Sequence, residues 1–179
     1  MYDHVTDITH DIRERNPQDI HFWKGCSSCC HTRIELFPVE FDRISAAFRR
    51  LPISRQDAIC RDAAHRWAEG ICPLLLDDAC SLYEYRPSIC RTHGFPLYSG
   101  VRHETGTAVS VCVLNFTDGP TFGDQDLIDM DKLGMTLIAA NLEYLRCCDT
   151  PTNSEETRSL LEALQDEPSA APPPSLYES

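Results

Sequence analysis

The sequence lacks the features that would place a protein in a membrane or in the secretory pathway. It contains no uninterrupted apolar run near the roughly 18 residues that a membrane-spanning helix requires. The first residues, Met1 to His4, include no basic segment followed by an apolar stretch, so we expect no secretory signal. These two absences predict a cytoplasmic protein.

Positive charge is also scarce, and this argues against two classes of partner. Lys and Arg total 16 against 28 Asp and Glu, which gives a formal net charge of −12. Because such a surface repels phosphate backbones and anionic lipids, we expect no binding to nucleic acid or to membranes. The sequence also lacks a nucleophile elbow, a phosphate-binding loop and a dinucleotide-binding glycine motif. Whether the chain is an enzyme therefore stays open.

The composition is that of a globular domain followed by a tail. Hydrophobic residues make up 42% of the 179 residues and charged residues 25%, which is typical of a soluble folded domain. After Asp149 the sequence shifts to Thr, Ser, Glu, Ala and Pro. We predict one domain over residues 1–148 and an acidic, flexible tail over residues 149–179, with one short helix around residues 155–165.

Apolar spacing and flanking Pro and Gly residues predict a mostly α domain with small β elements (α+β). Gly134 lies inside the longest predicted helix, residues 124–148. Because glycine is unfavourable there, its presence indicates close packing against another element. The buried stripe of that helix is predicted to contain Leu127, Met130, Leu137, Ile138, Leu142 and Leu145. The predicted elements are an N-terminal helix or arm in residues 1–22, helices over 38–50, 54–69 and 124–148, a helical turn over 86–91, a hairpin over 72–83 and a strand over 107–116.

Ten cysteines are the unusual feature of the composition. In a secreted chain they would indicate a disulfide framework. The adjacent pairs Cys29-Cys30 and Cys147-Cys148 are poorly suited to bridge each other, because neighbouring cysteines do so only with strain. In a cytoplasmic chain the same cysteines favour metal or redox chemistry. A disulfide-stabilised extracellular protein is the remaining alternative.

Three cysteine groups have the spacing of local metal chelates. Two thiolates three positions apart in a tight turn can bind one ion, and a hairpin brings cysteines on its two arms together. A cysteine and a histidine three positions apart on a helical turn face the same side. The groups are Cys26-x2-Cys29, Cys72-x7-Cys80 and Cys90-x2-His93.

Longer motifs accompany these cysteines: Cys26-x2-Cys29-Cys30, Cys72-Pro73-Leu74-Leu75 and Cys80-Ser81-Leu82-Tyr83-Glu84-x-Arg86-Pro87-x2-Cys90-Arg91. Over roughly residues 22–116 they resemble the CxxCxxCC-like (YkgJ-type) family of zinc- or iron-chelating cysteine-cluster domains. The resemblance implies metal chelation, with zinc or iron as the ion and no reaction common to the members. The family's first block commonly reads Cys-x2-Cys-x2-Cys-Cys, and here Trp23 occupies its first position.

We expect a compact, metal-centred domain whose ligands are Cys26, Cys29, Cys30, Cys72, Cys80, Cys90, His93 and Cys112. Either His93 or Cys112 would make up for the thiolate that Trp23 replaces, and both are expected ligands. Successive side chains diverge, so the adjacent cysteines are expected to serve two ions or a polynuclear site. Seven thiolates and one imidazole would supply two tetrahedral zinc sites. Alternatively, four thiolates would hold an iron–sulfur cluster.

Two functions follow from these ligands, and the sequence does not choose between them. The first is zinc or iron binding in a structural or metal-handling role. The second is an iron or iron–sulfur redox protein, or an enzyme with an open coordination position. No protein partner is indicated.

Arg86 and Arg91 either donate hydrogen bonds to the thiolates or form an ordinary salt bridge with Glu84. The residues expected to lie outside the metal site are Cys60 and Tyr83 in the core, Cys147 and Cys148 at a helix end, and His31 and His103 facing solvent.

Overall fold

The computed structural model of the chain describes residues 1–23, 25–100, 109–119, 121–148 and 156–166. Helices form the largest share of these residues and the strands are short, which confirms the predicted mostly α fold with small β elements. In chain order the elements are α1 (Tyr2–Arg15), β1 (Glu35–Leu36), α2 (Pro38–Arg49), α3 (Ile53–Cys60), α4 (Ala63–Ala68), β2 (Leu75–Leu76), β3 (Ala79–Cys80), α5 (Ser88–Thr92), β4 (Leu97–Tyr98), β5 (Val109–Ser110), β6 (Ile128–Asp129), α6 (Met130–Cys147), β7 (Arg158–Ser159) and α7 (Glu162–Gln165).

The chain forms two compact units. Unit 1 comprises residues 1–29 and 86–139, and unit 2 comprises residues 30–85 and 140–179. Helix α6 begins in unit 1 and ends in unit 2. None of the helices in the described part of the chain is long and apolar enough to cross a membrane.

Unit 1 combines a three-stranded sheet with a pair of helices. Strand β4 lies between β5, which is antiparallel to it, and β6, which is parallel to it. Helix α1 packs against α5. The buried side chains of this unit's core are Ile12, Ile20, Phe95, Phe116 and Ile128. Of the strand predicted over residues 107–116, only Val109 and Ser110 form a strand, β5; residues 111–116 form turns and loop, and residues 107 and 108 lie outside the described residues.

Unit 2 has the larger apolar core, organised around α2. This helix begins with Pro38, whose missing N–H costs nothing in the first turn. It packs against α7, and β1 pairs with β7 in antiparallel register. The buried core residues are Leu36, Phe41, Ile44, Ala47, Phe48, Ile59, Ala63, Leu74, Leu82, Leu160, Ala163 and Leu164.

The helix predicted over residues 54–69 is two helices, α3 and α4. The chain leaves helical geometry at Asp62, with φ −125° and ψ 17°. Such a break frees carbonyl groups at the end of α3. The Arg66 guanidinium donates hydrogen bonds to the Ile59 carbonyl at 2.5 Å and to the Pro73 carbonyl at 2.9 Å. The Arg66 side chain therefore stabilises the break between the helices and joins the end of α3 to Pro73, in the segment after α4.

The longest helix begins later than predicted and buries only part of the predicted stripe, at Leu145. The backbone N–H of Ile128 donates to the Pro96 carbonyl at 2.9 Å, so residues 128 and 129 form β6 and not a helical turn. In α6 the buried residues are Asn141, Tyr144 and Leu145, whereas Ile138 and Leu142 of the predicted stripe are about half exposed. Among the described residues, nothing lies within 4 Å of a Cβ built at Gly134, so the expected close packing there is not found.

Part of the predicted tail belongs to unit 2. Residues 156–166 contain β7 and the short helix α7, the latter within the range predicted for a helix. Leu160 is 1% exposed, and the Ala163 carbonyl accepts a hydrogen bond of 2.6 Å from the Ser45 hydroxyl. Three apolar residues at helical spacing give this short segment a face that can be buried, despite its acidic composition. Residues 149–155 and 167–179 lie outside the described residues.

Candidate metal centre

A two-residue hairpin carries Cys80 in unit 2. Strands β2 and β3 are antiparallel, with Leu75 opposite Cys80. The connecting residues Asp77 and Asp78 have φ values of 52° and 56°. Left-handed geometry at both positions is what a type I′ hairpin turn requires, and aspartate tolerates it better than most residues. The predicted hairpin is therefore present but shorter than expected, over residues 75–80, and Cys72 lies before its first strand and not opposite Cys80.

Backbone hydrogen bonds bring the other cysteine-bearing segments of unit 2 to this hairpin. The N–H of Cys72 donates to the Cys30 carbonyl at 2.7 Å. The Cys72 carbonyl in turn accepts a bond of 3.1 Å from the N–H of Leu75, the residue paired with Cys80. Cys72 and Cys80 are partly buried against the core of the unit. The three segments that carry candidate ligands in unit 2 therefore adjoin one another.

The first cysteine group forms a tight turn in unit 1. The N–H of Cys26 donates to the Trp23 carbonyl at 3.1 Å, and a 3-10 helix begins at Ser28. Cys26 is half-buried, whereas Cys29 is exposed. Trp23, at the position where the family commonly has cysteine, is 55% exposed.

Helix α5 carries Cys90 but ends before His93. The N–H of Cys90 donates to the Pro87 carbonyl at 3.0 Å, and the thiol is half-buried. His93 follows the last helical residue in an extended conformation, with φ −62° and ψ 131°, and is exposed. The helical turn predicted around residues 86–91 is therefore present, and the histidine lies just beyond it.

Arg91 holds α5 against α1. Its guanidinium donates to the Arg86 carbonyl and to the Thr6 hydroxyl, each at 2.9 Å, and lies 5.5 Å from the centre of the Tyr2 ring. These contacts give Arg91 a packing role within unit 1.

The sequence analysis missed a buried amide, Asn115, that contacts the segments of three candidate ligands. Asn115 is 3% exposed. Its Nδ2 donates to the Gly94 carbonyl at 2.8 Å, and its Oδ1 accepts from the His21 N–H at 2.9 Å. Its own N–H donates to the Cys112 carbonyl at 2.9 Å. Its only sequence signal is an amide three residues after a candidate ligand, which is too common a pattern to single out.

Several predictions about residues outside the metal site need correction. Cys60 is exposed, because the neighbouring Ile59 occupies the core position. Loss of some solvent around the sulfur atom and the nearby Asp57 carboxylate raise the pKa of the Cys60 thiol. Tyr83 is 55% exposed in a 3-10 helix after the hairpin and is not part of its core. His31 is exposed, as predicted, and His103 lies outside the described residues.

The predicted ligands fit zinc or iron by their chemistry. Thiolates and imidazoles are the donors that zinc takes in closed sites and that iron takes in clusters. Among the described residues, no three His, Cys, Asp or Glu side chains are arranged so that they could hold a metal ion. The ligand set therefore stays a prediction. Unit 1 contains Cys26, Cys29, Cys90, His93 and Cys112, and unit 2 contains Cys30, Cys72 and Cys80.

Comparison with known proteins gave one match. Residues 23–113, just over half of the chain, match the CxxCxxCC family, described as a "putative zinc- or iron-chelating domain". The comparisons with curated proteins and with solved structures found no match. The matched segment begins at Trp23 and ends one residue after Cys112, so it contains every predicted ligand. The chain belongs to the CxxCxxCC family of zinc- or iron-chelating domains.

Proposed function

We propose that this protein binds zinc or iron through its seven clustered cysteines and His93, in a structural or metal-handling role. The observation that carries the proposal is the backbone bond between Cys72 and Cys30, together with the pairing of Cys80 beside it. Three cysteine segments far apart in sequence adjoin one another in unit 2. Thiols held near one another become a chelating group when they lose their protons to a metal.

Two metal positions are part of the proposal. The boundary between the compact units falls between Cys29 and Cys30. This supports assigning the two adjacent thiols to different ions, because neighbouring side chains diverge. A bound metal would cross-link the segments that carry its ligands, and the binding free energy would add to folding stability. Thiolate ligands persist in a reducing compartment, so the proposal places the protein in the cytoplasm.

The alternative function is that of an iron or iron–sulfur redox protein, or of an enzyme. Trp23 stands where the family commonly has a thiolate, and it favours this alternative because a site short of one protein ligand can bind a substrate. An iron–sulfur cluster would require four of the cysteines.

The test is metal content after purification without air. We expect zinc or iron in the wild-type protein and a clear loss in Cys72→Ser. Cys60→Ser is the matched control, since Cys60 is also in unit 2 but is exposed on α3 and outside the predicted set. Elemental analysis and the absorption spectrum would be measured together. A colourless protein with zinc supports the structural role, and the coloured spectrum of an iron–sulfur cluster supports the alternative. Full metal content in Cys72→Ser would contradict the proposal.

His93 is tested in the same way. His93→Ala should lower the metal content, and His65→Ala on α4 should not, although both histidines are exposed. Equal and full metal content in both variants would remove His93 from the ligand set.

A further inference from the structure

Asn115 uses its backbone and both ends of its side chain to join three separate stretches of unit 1. Its amide donates to the Gly94 carbonyl, its oxygen accepts from the His21 N–H, and its N–H donates to the Cys112 carbonyl. These distances, 2.8, 2.9 and 2.9 Å, are all good hydrogen bonds. A buried amide with both ends satisfied fixes the relative positions of the backbones that it contacts.

Each of these stretches carries a predicted ligand. Gly94 directly follows His93, and Cys112 is itself a predicted ligand. His21 lies five residues before Cys26, in the segment that leads into the first cysteine turn. Asn115 therefore contacts the backbone beside one imidazole and one thiol, and contacts the approach to a second thiol.

The environment of Gly94 shows how closely this junction is packed. Gly94 has φ +101°, and a Cβ at this position would lie 2.5 Å from Cε1 of Phe22. The Phe22 ring also contacts Phe95, with ring centres 5.2 Å apart. The backbone at Gly94 therefore has no room for a side chain, and it lies closely packed against Phe22 beside the bond from Asn115.

We infer that Asn115 is a positioning residue for the predicted metal ligands of unit 1: its side chain fixes the backbone that follows His93 and the segment that leads to Cys26, and its N–H fixes the Cys112 turn, without touching the metal. The inference rests on the proposed function. Hydrogen-bonded partners of ligand-bearing groups commonly change metal affinity by about 10- to 100-fold when they are replaced.

The experiment compares Asn115→Asp and Asn115→Ala with wild-type protein loaded with Co²⁺. Asn115→Asp has the same shape and keeps the acceptor for the His21 N–H, but its carboxylate cannot donate to the Gly94 carbonyl. Asn115→Ala removes both side-chain bonds. Affinity is measured by competition with a chelator. The cobalt absorption spectrum reports the type and geometry of the ligands. Replacing a residue that only stabilises the fold would leave this spectrum unchanged.

The matched control is Asn16→Ala. Asn16 is another buried asparagine of unit 1, 8% exposed, whose Nδ2 donates to the Ile12 carbonyl within α1. Its loss should lower the melting temperature but should leave the cobalt spectrum and the affinity within about twofold of wild type.

We expect both Asn115 variants to bind Co²⁺ about 10- to 100-fold more weakly, with a changed spectrum. Folded Asn115→Asp protein with wild-type affinity and spectrum would overturn the inference while leaving the proposed function intact. A wild-type protein that binds neither Co²⁺, zinc nor iron would overturn both.

Discussion

The two compact units hold their cysteine segments by different means. In unit 2, backbone hydrogen bonds join Cys30, Cys72 and the β2–β3 hairpin, and Cys72 and Cys80 pack against a core of twelve buried residues. Among the described residues, the core of unit 1 has five buried side chains, and there one residue, Asn115, contacts the segments of three predicted ligands, two through its side chain and one through its backbone N–H.

This difference indicates how each unit depends on a bound metal. Burial of apolar surface stabilises a unit whether or not a ligand is present. Polar bonds between loop segments contribute less, because each replaces a bond to water. Unit 2 therefore has a scaffold that exists before metal binds, whereas the predicted ligands of unit 1 lie on segments with less apolar support.

Removal of bound metal should have the largest effect and should separate the two units. Structural zinc can contribute on the order of 10 kcal/mol to folding, so a chelator under reducing conditions should lower the melting temperature markedly. Amide hydrogen exchange, measured with and without chelator, should rise first around Cys26, Cys90 and Cys112. If α2 lost protection before these segments, unit 2 and not unit 1 would be the unit that depends more on bound metal.

Truncation of the unit 2 core tests the role of residues 156–166. Leu160→Ala should destabilise the protein by about 3 kcal/mol, because it leaves a cavity at a position that is 1% exposed. Leu142→Ala makes the same chemical change at a site that is 50% exposed, and should cost less than about 1 kcal/mol. Denaturant unfolding measures both. Equal effects would mean that this segment adds nothing to the core.

A pair of glycine substitutions tests the tight junction in unit 1. Gly94→Ala should cost about 2 kcal/mol, from a strained backbone at φ +101° and from contact with Phe22. Gly70→Ala in unit 2 also has positive φ, +78°, but nothing described lies within 4 Å of the new methyl group. It should cost about 1 kcal/mol. If the two variants unfold at the same denaturant concentration, the junction is looser than the distance to Phe22 indicates.

The smallest expected effects are opposite pH dependences of one carboxylate in each unit. Burial raises the pKa of Asp42 in unit 2, and the hydrogen bond from Tyr144 offsets this only in part. Burial alone would also raise the pKa of Asp126 in unit 1, but the bonds from Arg15 and from the Gly123 N–H lower it below its ordinary value.

A raised pKa in the folded state means that Asp42 contributes stability below its ordinary pKa of about 3.9, and that this is lost as the pH rises through the raised value. Asp126 contributes stability above about pH 3.9, which is lost as the pH falls through its lowered pKa. The difference in unfolding free energy between wild type and Asp42→Asn should therefore decrease with rising pH, and that for Asp126→Asn should increase. If both differences changed with pH in the same direction, the opposite pKa shifts of Asp42 and Asp126 would be contradicted.

Local sequence signals were reliable where a few neighbouring residues decide the structure. Pro38 begins α2, and Asp77 and Asp78 form the hairpin turn, because the backbone preferences of these residues do not depend on distant contacts. The types and spacing of the cysteines were sufficient to identify the family, since donor chemistry is a property of the side chains themselves.

Other features were decided by tertiary structure. Residues 128 and 129 have helical neighbours, yet they form a strand because β4 supplies a pairing partner. Leu160 is buried in the core of unit 2, although its surroundings in sequence are polar and acidic. The helix break at Asp62 is stabilised by the reach of Arg66 to the Ile59 and Pro73 carbonyls. Propensity is a weak preference, and a buried contact or a paired backbone group outweighs it.

The sequence by itself determined which atoms are available to bind a metal and in which local turns they lie. Only the tertiary structure decided which backbones those turns contact. Cys72 and Cys30 are 42 positions apart and meet through one backbone bond, and Asn115 joins residues that are 94 and 21 positions away. Contacts over such distances have no local signature, because any polar group can form them once folding has brought it close.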